Sequence, residues 1–400
     1  MTLGTASGFV GPVIGKCGFD TCGIDFSGRT SLGKTTAVAL GVSAWTSPLL
    51  GSGGLLRSMK TTENAIELSA RQSNHTILGL DELGHVDGKM VGRTIYLLSG
   101  GVSKTRMSPQ LTMRPIFKWA TFVLLSSEKS LAQKIIGDGG EWTGGMAVRF
   151  PDVDCSDVDA TVPKESLAKI AGIYHHFGHI GVPYITALRA DGFDREPGTG
   201  ELRSRILTAA EKIAGDGTDS ARRRAALPFA LILVCGGLAQ HYGLLPATAR
   251  IREAVSWGWR RYSSSVEAEA LDPETQALEN LRRWIAEHWD VAIKPTNGFY
   301  VDARDADEDD EDATTHRPQV LTYRNSRDAF GWYDDEAIYI PTARLTEAIG
   351  AVLSRNTFVE VLEHHKLLQR RGPDRASIRN VPKVCKVDVY ALKREAFRDD

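Results

Sequence analysis

The chain has 400 residues, of which 42% are hydrophobic and 24% are charged, and its formal net charge is −2 at pH 7. These values are typical of a soluble globular protein with two or three domains. The five cysteines are scattered and show no C-x-x-C spacing, which argues against a disulfide framework and a zinc site and favours a reducing cytoplasm.

Nothing in the hydropathy pattern predicts a membrane protein. The most apolar run, residues 225–239, contains Pro228 and is shorter than the roughly 20 residues that a membrane-spanning helix needs. It therefore predicts a buried core helix. The first residues lack a basic stretch ahead of an apolar one, which argues against a signal peptide and favours a cytoplasmic protein.

Residues 10–155 alternate between strand and helix patterns, which predicts an α/β fold with a parallel sheet and crossover helices. The predicted strands are 23–26, 76–80, 120–125 and 146–150, and the predicted helices are 35–45, 62–73 and 89–99. Strand, turn and helix at the start of this region are the setting of a P-loop NTPase core of the RecA/AAA+ kind.

Between the first strand and the first helix lies the sequence GRTSLGKTT, which fits the G-x-x-x-x-G-K-[ST] pattern of a phosphate-binding P-loop. Gly28 and Gly33 permit a turn that a side chain would obstruct. The backbone N–H groups, Lys34 and the helix N-terminus would hold the phosphates of ATP, and Thr35 would bind Mg²⁺. The predicted nucleotide-binding residues are Gly28, Arg29, Thr30, Ser31, Leu32, Gly33, Lys34, Thr35 and Thr36.

Polar residues follow the next two predicted strands. Asp81 is predicted to hold Mg²⁺, directly or through water, and Glu82 to act as the general base for the attacking water. Ser126 and Ser127 follow the third strand, where P-loop ATPases of the additional-strand class place a sensor of the γ-phosphate. Either serine would fill that role, and the alternative is a helix N-cap.

Arg149 follows a Gly-rich segment and lies on the fourth predicted strand. This position favours an arginine finger that stabilises the transition state in a neighbouring subunit. The role requires a homo-oligomer, and a hexameric ring is the form that we expect. The alternative is a salt bridge to Asp152 or Asp154.

Two basic segments predict contacts with DNA, most simply single-stranded DNA. Lys104 and Arg106 lie where loops of ring motors line the central channel, although a solvated loop is the alternative. Residues 366–386 contain seven basic residues and one acidic residue. The predicted contacts there are Arg370, Arg371, Arg375 and Arg379, and the alternative is an ordinary solvated face.

Residues 302–312 contain eight acidic residues and one basic residue, which predicts a disordered linker. After it, a strand at 337–340, helices at 342–353 and 358–369 and a strand at 384–390 suggest a winged-helix-like module. The sequence thus predicts four parts: a P-loop ATPase core (1–160), a helical region (161–295), an acidic linker (296–325) and a winged-helix-like C-terminal domain (326–400).

Five further segments occur with GRTSLGKTT in a characteristic order: ENAIE at 63–67, NHT at 74–76, LDELG at 80–84, YLLSGG at 96–101 and FVLLSSE at 122–128. Together they resemble the P-loop ATPase family known as domain of unknown function 927. The resemblance covers about residues 9–259 and includes Trp119 and Arg149. Thr30 replaces the Ser most common in the family's loop, a change that keeps the hydroxyl.

Proteins of this family occur in phages, integrated elements and plasmids and are described as helicase-like and linked to primase domains. The resemblance therefore implies an ATP hydrolase that works as a DNA helicase during replication of a mobile element. The alternative is an ATP-dependent switch or loader that binds a partner such as a primase without translocating. Relatives usually carry a region before the ATPase core that is often primase-like. The given sequence starts close to its P-loop without such a region, so we expect priming to depend on a separate protein.

Overall fold

The computed structural model describes residues 1–105, 115–158, 162–215, 220–265, 268, 271–289, 291–296, 300–301, 319–320, 330–350, 352–369, 376–381, 384 and 386–398. The predicted acidic segment 302–312 lies outside these residues. The chain divides into two compact units, Met1–Leu271 and Asp272–Asp400. The predicted boundaries at 160 and 295 do not coincide with this division, and the four-part organisation stays a prediction.

The first unit is built on a five-stranded parallel sheet, which confirms the predicted α/β class. Its strands are β1 (Cys22–Ser27), β2 (Leu56–Ser58), β3 (Ile77–Asp81), β4 (Phe122–Ser126) and β5 (Asp152–Asp154). Their order is β2-β3-β4-β1-β5, so β4 lies between β1 and β3. The strands β1, β3 and β4 agree with the sequence prediction to within two residues.

Helices cover both faces of this sheet. They are α1 (Thr2–Ser7), α2 (Gly11–Ile14), α3 (Lys34–Ser43), α4 (Glu63–Gln72), α5 (Gly88–Gly100), α6 (Leu131–Gly137), α7 (Gly144–Ala147), α8 (Lys164–Ala171), α9 (Gly181–Ala190), α10 (Gly198–Ala214), α11 (Ser220–His241) and α12 (Ile251–Ser263). Side chains cap several of them. Thr62 accepts a hydrogen bond from the N–H of Ala65 at the start of α4, and Ser130 and Gln133 form a capping box at the start of α6.

The two sides of the sheet belong to different hydrophobic clusters. Along β4, Phe122 and Leu124 pack with α1, α3, α11 and α12, while Val123 and Leu125 pack with α4 to α7. This alternation is the ordinary period of a strand, and because both faces are covered the strand is apolar throughout. The site residues at its end are therefore held by a rigid, fully packed element.

The predicted strand 146–150 is wrong, because the chain there forms the helix α7 and β5 begins only at Asp152. Met146 and Phe150 are buried in one cluster, and the N–H of Phe150 donates to the carbonyl of Met146, as on a helical face. Pro151 has no N–H to give to the sheet. Arg149 accordingly follows a helix and does not lie on a strand.

α11 is, among the described helices, the one long and apolar enough to cross a membrane by length and composition. Its apolar residues pack against α1, α10 and α12 in the core of the first unit. Pro228 lies inside this helix and is buried. The predicted core helix is confirmed.

The second unit has a four-stranded sheet of order β11-β10-β9-β6 and a separate β7–β8 pair. Its elements are α13 (Pro273–His288), β6 (Ile293–Pro295), β7 (Tyr300–Val301), β8 (Gln319–Val320), β9 (Gly331–Tyr333), β10 (Ala337–Pro341), α14 (Leu345–Ala348), α15 (Arg355–His364) and β11 (Val389–Lys393). The apolar face of α13 packs against α14 and α15.

Three predicted elements of this unit need correction. The helix expected at 342–353 is only the single turn of α14, because Gly350 has φ +64°, a left-handed conformation. The next helix begins earlier than predicted, after the cap Ser354, and ends at His364 before Lys366, whose φ is +56°. The strand expected at 384–390 begins at Val389, where it pairs with β10.

Candidate functional site

A cleft of about 710 Å³ lies at the carboxyl ends of β1, β3 and β4. Three segments that follow these strands line it, namely 30–36, 81–84 and 126–128, and Leu167 and Ile170 of α8 line it as well. In parallel sheets the loops after the strands meet at one edge, which is where ligands bind in α/β proteins. The structure thus brings together the segments that the sequence predicted as a nucleotide site.

The loop 28–33 connects β1 to α3 through three left-handed residues. Gly28, Ser31 and Gly33 have φ values of +125°, +65° and +78°. The Lys34 ammonium donates hydrogen bonds to the carbonyl oxygens of Gly28 and Arg29, both at 2.7 Å. Lys34 is buried, so its charge lies inside the curve of the loop.

The N-terminus of α3 faces the same loop. Gly33 is the N-cap and has no side chain to accept a hydrogen bond from the first turn. The free N–H groups and the positive end of the helix dipole favour an anion at this point. The loop and helix together are therefore suited to bind phosphate.

Three oxygen atoms from three elements meet beside this helix. The hydroxyl of Thr35 is 3.4 Å from a carboxylate oxygen of Asp81 and 3.4 Å from the hydroxyl of Ser126. Ser126 also donates a hydrogen bond to the same oxygen of Asp81. Hydroxyl and carboxylate oxygens suit Mg²⁺, which is commonly held by one or two carboxylates together with water and substrate phosphates. Among the described residues no cluster of three or more His, Cys, Asp or Glu side chains could hold a metal by itself.

Glu82 leaves β3 through a left-handed turn, with φ +65°. Its carboxylate is exposed to the cleft and accepts a hydrogen bond of 2.5 Å from Ser58. Ser58 is the last residue of β2 and pairs in register with Asp81. The sequence pattern predicted neither β2 nor Ser58, because three residues are too short for a recognisable strand pattern.

The segment after Glu82 is tied to α6. Lys134 donates to the carbonyl of Gly84 at 3.5 Å and forms an ion pair of 3.0 Å with Asp138. Asp138 in turn accepts a 2.7 Å hydrogen bond from the N–H of Gly88, the first residue of α5. These contacts fix the backbone on the far side of the cleft.

A pair of buried carboxyl groups that the sequence motifs did not predict lies beneath the loop. Asp25 and Asp152 are register partners on β1 and β5 and share a side-chain hydrogen bond. Burial raises the pKa of Asp25 to about 6, although hydrogen bonds from Ser127 and Asp152 and the charge of Lys34 oppose the shift. The one available signal was an acidic residue within the otherwise apolar run of β1.

The two candidate sensor serines occupy different environments. Ser126 contacts the oxygen cluster of Thr35 and Asp81, whereas the hydroxyl of Ser127 donates to Asp25 at 2.6 Å. Both serines border the cleft. The geometry favours Ser126 as the residue that meets a bound nucleotide.

The remaining predicted site residues lie away from this cleft or outside the described chain. The carbonyl of Arg149 accepts from the N–H of Gly23 at the amino end of β1, and its guanidinium donates to the carbonyl of Gly145 at 2.9 Å. Lys104 forms an ion pair with Glu63. Arg379 is exposed. Arg106, Arg370, Arg371 and Arg375 lie outside the described residues.

The chain is similar to a solved structure and to a known protein family. A solved structure of an active helicase, SCCmec type IV Cch, is similar with a TM-score of 0.67 and 17% identity, and the match covers 98% of this chain and 66% of that chain. At this identity the likeness shows a shared fold, and the chain spans just under two thirds of that protein's length. No curated protein matches the chain.

The family model described as domain of unknown function (DUF927) matches residues 1–116. This range includes the segment 28–36, Asp81 and Glu82. The resemblance to this family seen in the sequence motifs is thereby confirmed for residues 1–116.

Proposed function

We propose that this chain is a Mg²⁺-dependent ATP hydrolase that acts as a helicase-like DNA motor in the cytoplasm, during replication of a phage or other mobile element. The observation that carries the proposal is the convergence of Lys34, Thr35, Asp81, Ser126 and Glu82 on one cleft. A separation of the loop from the two carboxylates would have ruled out a nucleotide hydrolase.

The sheet order supports a P-loop core of the additional-strand class. In this arrangement an extra strand separates the strand before the loop from the strand with the metal-binding carboxylate, and β4 lies in that place between β1 and β3. The tip of β4 carries Ser126, at the position of a γ-phosphate sensor.

In the ATP-bound protein, Lys34 would exchange the carbonyl oxygens of Gly28 and Arg29 for oxygens of the β- and γ-phosphates. Thr35 and Asp81 would hold the metal, which when bound neutralises charge on the phosphate oxygens. Glu82 would accept a proton from the attacking water, with its carboxylate oriented by Ser58. Ser126 would contact the γ-phosphate and Asp81 together.

The proposed motor action draws on the similar fold and on the second unit. The similar structure is that of a helicase, and the second unit offers an exposed Arg379 beside Ile378, which bridges to Val389 of β11. The same proposal has four further parts. The segment around Arg379 would act like the wing of a winged helix, and Lys104 would contact DNA. The chain would form an oligomer in which Arg149 serves a neighbouring subunit, and a primase would be a partner. The alternative is an ATP-dependent switch that loads a partner and does not translocate.

The decisive experiment measures phosphate release from ATP with and without single-stranded DNA, and unwinding of a forked duplex. We expect Mg²⁺-dependent turnover that DNA stimulates, and loss of ATP binding in Lys34→Ala. Turnover that DNA does not change, without unwinding, would favour the switch. Unimpaired ATP binding by Lys34→Ala would refute the site.

A further inference from the structure

A second cavity of about 620 Å³ lies in the first unit between α10, α11 and α12. It shares no lining residue with the cleft that contains Lys34. Four basic side chains border it, and none of the described residues that line it is acidic. This is the basic groove, defined by Arg205 and Lys212 of α10 and Arg252 and Arg260 of α12.

Helical spacing places these charges in two facing rows. Arg205 and Lys212 are seven residues apart and Arg252 and Arg260 are eight apart, so each pair lies on one side of its helix. At a rise of about 1.5 Å per residue, each row extends over about 10 to 12 Å. The rows therefore follow the length of the groove and do not form a single point of charge.

Three of the four cations are not paired within the described chain. Arg205 forms an ion pair of 2.5 Å with Glu201, whereas no described acidic residue lies in ion-pair range of Lys212, Arg252 or Arg260. All four side chains are exposed. Like charges on both walls repel each other, and an anionic ligand along the groove would relieve that repulsion.

The floor of the groove is apolar. Leu233 of α11 and Trp259 of α12 line it, and the Trp259 ring is held by an edge contact with Phe229 at 5.6 Å. A further cavity of about 530 Å³ continues along α11, shares Arg205, Leu233 and Arg252, and adds one acidic residue, Glu253, which pairs with Arg250 at 3.3 Å. A basic channel with an apolar floor matches the chemistry of a single nucleic-acid strand, which presents phosphates and unstacked bases together.

We propose that the basic groove binds the phosphate backbone of single-stranded DNA, a role that rests on the proposed DNA motor function. The walls would contact successive phosphates, and the apolar floor would accept sugars or bases. A duplex keeps its bases stacked inside and would meet only the rims. An acidic protein segment would meet the charges without using the floor.

The test uses the full chain and a fluorescently labelled oligothymidylate of about 20 nucleotides, long enough to fill one groove. In Arg252→Gln/Arg260→Gln we expect the Kd to rise about tenfold or more, with the slope of log K against log salt smaller by about 1.4, or about 0.7 for each lost phosphate contact. The matched control is Arg189→Gln/Arg195→Gln, which removes two exposed charges that pair with Asp194 away from the groove. It should bind within about twofold of the wild type.

Equal weakening in both double variants would show general attraction and overturn the proposal. So would equal affinity for a duplex of the same length, or displacement of the oligonucleotide by polyglutamate at equal charge concentration. ATP hydrolysis without DNA separates the two proposals. If the wild type hydrolyses ATP but binds no single-stranded DNA, only the groove proposal is refuted. If binding depends on the groove but no ATP is hydrolysed, only the ATPase proposal is refuted.

Discussion

Glu82 combines an exposed carboxylate, a left-handed backbone and a hydrogen bond from Ser58. A residue other than glycine in this conformation costs about 1 to 2 kcal/mol, which the surrounding contacts must offset. This backbone conformation turns the Glu82 side chain away from the strand direction and into the cleft beside Asp81. This geometry fits a general base better than a structural carboxylate.

For Glu82→Gln we expect unchanged ATP affinity and a turnover lower by about two to four orders of magnitude, because an amide cannot accept the proton of the attacking water. Single-turnover phosphate release and binding of a fluorescent ATP analogue measure the two quantities. Glu128→Gln is the matched control, since Glu128 lines the same cleft and would keep most of the activity. A similar loss in both variants would contradict the assignment.

The buried pair of Asp25 and Asp152 predicts a pH effect on stability. Burial raises the pKa of Asp25 to about 6, against about 3.9 for an Asp in an unfolded chain. Between these values the folded state keeps a proton that the unfolded state has lost, so this group makes the free energy of unfolding fall as pH rises from about 4 to about 6. Above that range the full cost remains.

Asp25→Asn removes the titration and retains an oxygen that can accept from Ser127. We expect the free energy of unfolding of the variant, relative to the wild type, to increase by about 1 to 3 kcal/mol between pH 4 and pH 7. Urea denaturation at intervals of pH measures this difference. Asp20→Asn, which changes an exposed carboxylate just before β1, should give a curve parallel to the wild type. A parallel curve for Asp25→Asn would disprove the effect.

At the scale of secondary-structure elements, the short strand β2 determines how the Glu82 carboxylate is held. This three-residue edge strand pairs with β3 and ends at Ser58 opposite Asp81. It therefore delivers the one described hydrogen bond to the Glu82 carboxylate. We infer that β2 positions the proposed base without contacting the nucleotide.

In Ser58→Ala we expect kcat to fall about tenfold with little change in KM, because the base loses its orientation while the phosphate site stays intact. Ser58→Thr keeps the hydroxyl and should restore most of the rate. Steady-state ATP hydrolysis separates kcat from KM. A rise in KM alone, or failure of Thr to restore kcat, would argue against the positioning role.

The contrast between long and short strands explains what the sequence could predict. β1, β3 and β4 are central strands covered on both faces, so their apolar runs and the motifs at their ends were visible and correctly located. β2 and β5 have three residues each and pair on one side only, which leaves almost no hydropathy pattern. The run MAVRF at 146–150 has strand-forming residues, yet burial of Met146 and Phe150 on one face made it helical.

Contacts between residues that are far apart along the chain could not be predicted from the sequence pattern either. The Ser58–Glu82 bond, the Asp25–Asp152 pair and the facing rows of α10 and α12 each depend on packing between separate elements. The local pattern was enough to predict roles for Lys34, Thr35, Asp81 and Glu82, because these residues belong to two short motifs. The distinction between Ser126 and Ser127 required the orientation of both side chains.

At the scale of the whole molecule, each compact unit has its own hydrophobic cluster. The cleft with Lys34 and the basic groove both lie within Met1–Leu271. We expect a fragment of residues 1–271 to fold and to hydrolyse ATP at a rate within about tenfold of the full chain, because no proposed hydrolytic residue lies in the second unit. Circular dichroism and phosphate release check this. An unfolded fragment, or a folded one without hydrolysis, would contradict it.

Arg149 raises the question of assembly. Its backbone lies at the amino end of β1, whereas the cleft lies at the carboxyl end, so the proposed finger would serve the cleft of another copy. A finger supplied in trans stabilises charge on the transferred phosphoryl group and accelerates hydrolysis by orders of magnitude. The proposal thus requires that two chains share each working site.

A complementation experiment tests this sharing. Lys34→Ala lacks a working cleft but keeps the finger, and Arg149→Ala keeps the cleft but lacks the finger, so each should be almost inactive alone. When the two are co-expressed in equal amounts, half of the clefts are intact and half of the neighbours carry the finger. We expect about a quarter of the wild-type rate to return if the finger acts in trans. Co-purification of untagged Arg149→Ala chains with affinity-tagged Lys34→Ala chains checks that mixed oligomers form. Mixed oligomers without recovered hydrolysis would show that Arg149 does not act across a subunit boundary.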